Sequence, residues 1–370
     1  MNKSSKQIVA VGMSGGLDST MAAFLLKEQG YTVIGLTMKI WDGPVRCEAT
    51  RSGCYGPNEA SDIADAKQAA DRLGIEHHIV DLCKEYKQTV IQYFSNEYTH
   101  GKTPNPCVMC NSQIKFGSLL ENSLSSGIKF DFFATGHYAR VAYNHTTDEY
   151  MLKCGVDNAK DQSYFLHRLN QEQLQKIMFP LGDYYKEDIK TMARKTGFGK
   201  YTEKPESQDF LEWNDYGTLL QNRGQQGNIR DAAGNVIGTH QGIAFYTIGQ
   251  RKMLNLSGMK EPYYVVGIDA QNNEIIAGPK KHLLNNILSA TDLHWIIPCE
   301  KYISAPLNAK IRSAAVPAAC DIFPEPGNTA MIRFVVPQES VTPGQSVVFY
   351  AGDIVLGGGT IEAIPQKQNP

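Results

Sequence analysis

Gly12-Met13-Ser14-Gly15-Gly16-Leu17-Asp18-Ser19 decides how this chain is read. The octet follows an apolar run, Ile8-Val9-Ala10-Val11, and opens a helical pattern over 20–29. A glycine-rich strand-to-helix turn aims consecutive backbone N–H groups at an anion, and the helix N-terminus adds partial positive charge. A Walker loop would end in Gly-Lys-[Ser/Thr], and this one has no lysine. An aspartate stands there instead. A carboxylate facing polyphosphate makes sense when Mg²⁺ lies between them, so Asp18 is the expected Mg²⁺ contact. The plainer reading, a glycine turn capped by Ser19, leaves the aspartate without a purpose.

Around the octet, the 370-residue chain is too long for one ordinary core, and two or three domains are expected. Hydrophobic content of 42% and charged content of 20% describe a soluble globular protein. A net charge of −2 excludes bulk polycation behaviour but leaves room for a local basic face that binds nucleic acid. No apolar run approaches the roughly 18 residues of a spanning helix, so no membrane partner is expected. The segment before Ile8 has no signal-peptide core, and cytoplasmic residence is the expectation.

Strand signals at 7–12, 32–38, 77–82 and 130–135 alternate with helix signals at 59–73, 84–98 and 111–124. The second helix carries Ile63, Ala66, Ala70 and Leu73 on one face, with Gly74 as its stop. Such alternation implies a parallel sheet, with ligands bound beyond the carboxyl ends of its strands. A hairpin at 138–153 and helices at 171–178 and 186–196 follow. From about 205 glycine turns and short β-runs take over, with a hairpin cue at Ala233-Gly234-Asn235 and strands flanking Asp269–Asn273. Beyond Leu283, strands at 308–313, 329–336, 345–350 and 354–361 suggest a small barrel. The expected domains are therefore 1–204, 205–282 and 283–370.

Thr103-Pro104-Asn105-Pro106-Cys107-Val108-Met109-Cys110-Asn111 is the second informative stretch. The prolines are expected to hold the chain extended and delay the helix, which places Cys110 at or beside a helix N-terminus. That position lowers a thiol pKa, as a nucleophile or metal ligand requires. Half of a structural zinc site is the competing reading. Among the eight cysteines, only Cys107 and Cys110 form a C-x-x-C pair. Cys83, Cys154, Cys299 and Cys320 read as structural. In a cytosolic enzyme of this size, metal binding or chemistry is a better account of the pair than a disulfide framework.

The octet resembles the pyrophosphate loop, Ser-Gly-Gly-x-Asp-Ser, of ATP pyrophosphatases, which adenylate a substrate oxygen. With a reactive sulfur nearby, that chemistry suggests exchange of oxygen for sulfur. Over essentially its whole length the chain resembles the tRNA 2-thiouridylases, the MnmA/TrmU family. The resemblance is carried by Gly12–Ser19, Thr103–Phe116, Ala134–Arg140, Lys160–Leu166, Phe179–Gly182, Tyr246–Lys252 and Thr342–Gln345. It implies an adenine nucleotide α-hydrolase-like (PP-loop, Rossmann-like) α/β domain, then a small β-rich domain and a C-terminal β-barrel.

The same resemblance implies roles. Gly12, Met13, Ser14, Gly15, Gly16, Leu17, Asp18 and Ser19 would bind ATP, with Met38 and Gly136 flanking it. Asn105, Pro106 and Cys107 would face the target base, and Cys110 would handle sulfur. His137, Lys160, Asp161, Gln162, Arg312, Ser313 and Gln345 would contact tRNA. A sulfur-donor protein or sulfide completes the partners. Read without the resemblance, His137 is a satisfied histidine at a strand end, and the Lys160-Asp161 pair is a solvated turn.

One departure matters. Most of the family carries a second catalytic cysteine in a motif like Glu-Ser-Gln-Asp-Ile-Cys-Phe. This chain reads Glu206-Ser207-Gln208-Asp209-Phe210-Leu211-Glu212, with Leu211 at that place. Cys54, in Gly53-Cys54-Tyr55-Gly56, is the candidate third sulfur, and a similar subgroup with Gly-Cys-Tyr-Gly also lacks the later cysteine. Two arrangements follow: Cys54, Cys107 and Cys110 hold an iron–sulfur cluster with one open iron, or Cys107 and Cys110 alone form a persulfide and disulfide pair. The alternatives to thiolation are an adenylating ligase acting on a small molecule, and an inactive tRNA-binding protein with structural zinc.

Overall fold

The computed structural model describes residues 6–43, 48–206, 209–220, 224–302 and 306–363. Cys47, Ser207 and Gln208 lie outside the described residues, as does the side chain of Cys299. The chain forms two compact units. One comprises Met1–Val90, Cys107–Asn214 and Asp353–Val355, and the other Ile91–Pro106, Asp215–Gly352 and Leu356–Pro370.

The first unit is built on five parallel strands. β1 (Ile8–Gly12), β2 (Thr32–Lys39), β3 (Glu76–Asp81), β4 (Phe132–Ala134) and β7 (Ile177–Met178) run in the order β3-β2-β1-β4-β7. Two further strands, β5 (Ala139–Asn144) and β6 (Glu149–Cys154), form the expected hairpin, and β6 pairs with Ile354 and Val355. Val9 and Val11 of β1 are wholly buried, because helices cover the sheet. α1 (Leu17–Glu28) contributes Met21, Ala22 and Leu26 to that core, and α2 (Glu59–Leu73) contributes Ala66, Ala70 and Leu73. α2 ends where Gly74 turns left-handed at φ 63°, ψ 41°. Strand order reverses direction beside β1, the place where such sheets open a crevice for ligands.

Three expectations for this unit needed correction. The helix after the prolines begins at Pro106, not near Asn111: α3 is helical over 106–125, with an α-turn Pro106–Met109, a π-helical stretch Cys110–Ser118 and an α-helical end Leu119–Ser125. Proline tolerates the first helical turn because its missing N–H has no intrahelical partner there. The 84–98 helix is likewise interrupted by a π-turn, Lys87–Ile91. The 171–178 segment is one α-turn, Gln171–Leu174, after which Ile177 and Met178 pair with β4 as β7. α4 (Lys186–Lys195) follows as expected.

The second unit contains two β-structures. β8 (Gly227–Arg230), β9 (Val236–His240), β10 (Tyr263–Asp269) and β11 (Glu274–Pro279) form a sheet in the order β10-β11-β8-β9, around Ile229, Val265, Ile275 and Tyr246. β12 (Leu284–Trp295), β13 (Leu307–Lys310), β14 (Ala318–Glu325), β15 (Thr329–Glu339), β16 (Ser346–Ala351) and β17 (Ile354–Ala363) form a barrel, closed by pairing of β12 with β17. Leu288, Ile332, Phe334, Phe349 and Ile361 fill it. β12 and β14 were not foreseen. No helix among the described residues is long and apolar enough to cross a membrane.

Candidate active site

The glycine loop turns from β1 into α1 at the carboxyl edge of the parallel sheet. Gly15 has φ +72°, and a Cβ there would run into the Asp62 carbonyl of α2. Gly136, just past β4, approaches so closely that a Cβ would lie 2.6 Å from the Asp18 carbonyl carbon and 2.7 Å from the Ser19 nitrogen. Both positions need a residue without a side chain. The Ser14 N–H donates to Ser19 Oγ at 3.1 Å, and Thr20 Oγ1 donates to the Gly16 carbonyl at 2.8 Å. No side chain caps α1 at Gly16, as suits a helix start meant for an anion.

A cavity of about 330 Å³ opens on this loop, large enough for a small-molecule site. Its lining combines the loop residues other than Gly15 with Met38, Cys54, Lys115, Gly136, His137, Gln162, Lys186 and Glu206. Met38 stands near the end of β2, where Glu59 of α2 holds the departing chain. The Glu59 carboxylate accepts from the Ile40 and Trp41 N–H groups at 2.6 and 2.9 Å, and burial raises its pKa.

Alternating charges run along the cavity wall. Lys186 Nζ donates to both Asp18 oxygens at 2.7 and 2.8 Å and reaches Glu206 Oε1 at 3.1 Å. Glu206 Oε2 in turn accepts from Lys160 Nζ at 2.8 Å. Burial opposes ionisation of Glu206, yet the two lysines hold its carboxyl below the usual range. The Tyr138 hydroxyl also donates to Asp18 Oδ1, at 3.0 Å, and both burial and that carboxylate push the phenol upward. Lys204 Nζ clamps the loop from the far side, donating to Asp62, Asp65 and the Gly15 carbonyl at 2.7, 2.8 and 3.2 Å.

The cysteines correct one expectation. The helix start was expected to lower the pKa of Cys110. Burial instead pushes Cys107 up to about 12 and Cys110 up to about 11, with Lys115 opposing it at both. Cys110 sits one turn inside α3, where desolvation of the thiolate outweighs the helix field, which fades within the first turn. A π-helical stretch begins at Cys110, a geometry that recurs at functional sites.

Cys54 is exposed and lines the cavity. Its own N–H and that of Tyr55 both donate to the Phe210 carbonyl, at 3.1 and 2.8 Å. The Gly53 backbone packs on Leu211, whose side chain is buried. Cys54 therefore lies beside the segment in which the resemblance places the second sulfur. A Cys54 thiolate would push both Cys107 and Cys110 upward, so the three thiols share one electrostatic neighbourhood. Among the described residues, no three His, Cys, Asp or Glu side chains are grouped to hold a metal ion. Backbone pairing to Phe210 fixes the Cys54 loop, while the other two thiols are carried by α3. Beneath Cys54 lies an aromatic cluster, with Trp41 against Tyr55 at 4.8 Å, Tyr55 stacked on Tyr86 at 5.2 Å and Trp41 against Trp213 at 5.6 Å.

The expected tRNA contacts are divided between the units. In the first, His137 Nδ1 and Thr135 Oγ1 are 2.7 Å apart, and burial with nearby Lys115 pushes the imidazole well toward its neutral form. Asp161 accepts from the Gly155 and Ser163 N–H groups and from Ser163 Oγ. Gln162 Oε1 accepts from the Tyr138 N–H at 3.0 Å. In the second unit Arg312 is exposed and donates to the Glu339 carbonyl at 3.1 Å, while Ser313 is partly exposed. Gln345 donates to the Thr103 and Pro104 carbonyls at 3.1 and 2.9 Å, holding the segment that leads to Asn105 and Pro106. The Asn105 N–H donates to the Tyr93 hydroxyl at 3.1 Å.

Sequence reasoning missed Lys186, Glu206 and Lys204. One signal was available for Lys186. It is the first residue of α4, where a helix disfavours a cation, and a broken local rule marks functional residues.

Three family models tile the chain: a tRNA methyl transferase HUP domain over residues 7–211, a tRNA methyl transferase PRC-barrel domain over 218–279 and an aminomethyltransferase beta-barrel domain over 285–361. The tRNA-specific 2-thiouridylase MnmA of Endomicrobium trichonymphae is 45% identical over 358 residues, 95% of this chain and 98% of that protein. The chain belongs to the MnmA family. MnmA 2 of Thermoanaerobacter sp. (strain X514) is 44% identical over 96% of this chain and 97% of its own length. MnmA of Acetivibrio thermocellus is 42% identical over 97% and 100%.

Proposed function

We propose that the chain is an ATP-dependent tRNA sulfurtransferase that converts the wobble uridine to 2-thiouridine. One observation carries this reading: a single cavity holds the glycine loop together with Cys54, Lys115 and His137. The uracil O2 attacks the α-phosphorus of ATP, the bond to the β-phosphate bridging oxygen breaks, and pyrophosphate leaves. The carbonyl oxygen has then become part of a phosphate leaving group. The loop N–H groups and the start of α1 hold the phosphates. Asp18 offers hard carboxylate oxygens of the kind Mg²⁺ takes, and the bound cation would neutralise phosphate charge.

Sulfur follows through the thiols. A donor protein, or sulfide with an oxidant, leaves a persulfide on Cys110. Its terminal sulfur adds at C2 and AMP departs with the original oxygen. The Cys54 thiolate then attacks Cys110 Sγ, the S–S bond breaks, sulfur stays on the base, and a Cys54–Cys110 disulfide forms. A thiol reductant returns both cysteines to the starting state. Cys107, one turn before Cys110 in α3, faces the base together with Asn105 and Pro106, and the base must leave its stack to be reached. His137, Lys160, Asp161, Gln162, Arg312, Ser313 and Gln345 contact the tRNA, drawn from the 1–204 and 283–370 segments. Such work belongs in the cytoplasm.

The test is nucleoside analysis of tRNA incubated with enzyme, ATP and a persulfide donor. Wild type forms 2-thiouridine. Asp18→Asn loses about 10²- to 10³-fold of that rate, the range seen when a transition-state charge contact is removed, and Cys54→Ser stops after one adenylation. ATP–pyrophosphate exchange without tRNA would favour a small-molecule ligase. Full thiolation by Cys54→Ser would favour the Cys107/Cys110 pair alone. Iron that copurifies anaerobically and is required for turnover would restore the cluster in place of this relay.

A further inference from the structure

Lys186 is almost wholly buried, its side chain 4% exposed, yet it sits in the wall of the cavity. A buried ammonium persists only when carboxylates surround it. Here there are two, Asp18 and Glu206, and the Tyr138 ring lies 5.6 Å from Nζ. The α4 start that carries it is anchored separately, the Lys186 N–H donating to Asp157 Oδ2 at 3.0 Å. The side chain can therefore shift between its two carboxylates without moving the backbone.

Both Asp18 oxygens are engaged by Lys186, and one also by Tyr138. A divalent cation arriving with ATP needs that same carboxylate. We propose that Lys186 and the divalent cation compete for Asp18, and that Glu206 is the second seat that receives Lys186 when the cation takes Asp18. The inference rests on the ATP-binding reading of the 12–19 loop and assigns Lys186 a positioning role within it. Before nucleotide binds, the lysine cancels the charge that would otherwise repel phosphate. Afterwards it leaves the acid to the cation, and Glu206 must divide itself between Lys186 and Lys160.

Competition has a signature that loss of structure cannot imitate. Binding of the α,β-methylene analogue of ATP, which cannot be cleaved there, is measured calorimetrically with and without Mg²⁺. In Lys186→Gln, affinity without Mg²⁺ falls by about tenfold or more, since Asp18 is left bare, while half-saturating Mg²⁺ moves lower by about tenfold. Lys186→Arg keeps the charge and stays close to wild type in both. If Lys186→Gln does not fold, Glu206→Gln serves instead: with its second seat gone, Lys186 clings to Asp18 and half-saturating Mg²⁺ rises. A Lys186→Gln protein that needs the same Mg²⁺ as wild type, or more, overturns the proposal, as does an unshifted Glu206→Gln. Wild type that binds no analogue at all would instead overturn the ATP reading.

Discussion

Cys107 and Cys110 show how one residue type can be chemically silent until its surroundings change. With pKa values raised to about 12 and about 11, both are neutral thiols at physiological pH in the uncomplexed protein. A nucleophile in that state is protected from stray oxidation, because the thiolate is the reactive form. The expected consequence is slow alkylation by iodoacetamide near neutrality, with rates that climb between about pH 9 and pH 11 rather than levelling at pH 9. Lys115→Ala moves the Cys110 profile further up, since Lys115 is what opposes burial there. Mass spectrometry of the two peptides across that pH range checks it, and a plateau below pH 9 would remove the burial account. Stability follows the same sign. Folding holds these thiols protonated, so their contribution is whole below the unfolded thiol pKa and is lost as pH rises through about 11 and 12.

At the scale of elements, the glycine loop works because two glycines do different jobs. Gly15 is left-handed and pressed on the Asp62 carbonyl, whereas Gly16 has ordinary φ and only Ser14 Oγ within reach of a Cβ, at 3.5 Å. Gly15→Ala is therefore expected to cost about 1–3 kcal/mol and to displace the loop from α2, with nucleotide binding lost. Gly16→Ala should stay under about 1 kcal/mol, the small penalty of alanine at an N-cap. Thermal melts with and without nucleotide measure the contrast, and equal losses would show that the loop does not depend on contact with α2. This locality also explains what could be read from sequence. The loop and α2 carry their geometry in adjacent residues, and α2 was legible at both ends because its apolar period stops at Gly74. β7 was not, since Ile177 and Met178 owe their form to pairing with β4 some 40 residues earlier. β14 hid behind Pro324, and β12 behind a burial pattern that never settles into alternation. The site divides the same way. Asp18 was legible as a loop residue, but its partners Tyr138 and Lys186 stand 120 and 168 positions along the chain, where only the fold can bring them back.

For the whole molecule the question is how a chain with net charge −2 holds a polyanion. The answer expected from sequence was local basic faces, and Lys160 in the first unit and Arg312 in the second are the candidates. Each already has a partner: Lys160 pairs with Glu206, and Arg312 donates to a carbonyl. Contact with phosphate must therefore draw Lys160 away from Glu206, which lowers the net gain per contact. A Lys160→Ala/Arg312→Ala double variant should flatten the dependence of log K on log salt by about two units, one for each phosphate, without changing which tRNA is preferred. Filter binding across a salt series measures the slope, and an unchanged slope would take both residues out of the interface.

The aromatic cluster beneath Cys54 has an optical consequence. Trp41 and Trp213 are two of the chain's three tryptophans, and both pack on Tyr55, the neighbour of the thiol that would enter a disulfide with each turnover. Disulfides quench indole emission at short range. The native fluorescence of this protein would then dim and recover as sulfur is delivered and the cysteines are reduced, so each catalytic cycle could be followed by light without any label.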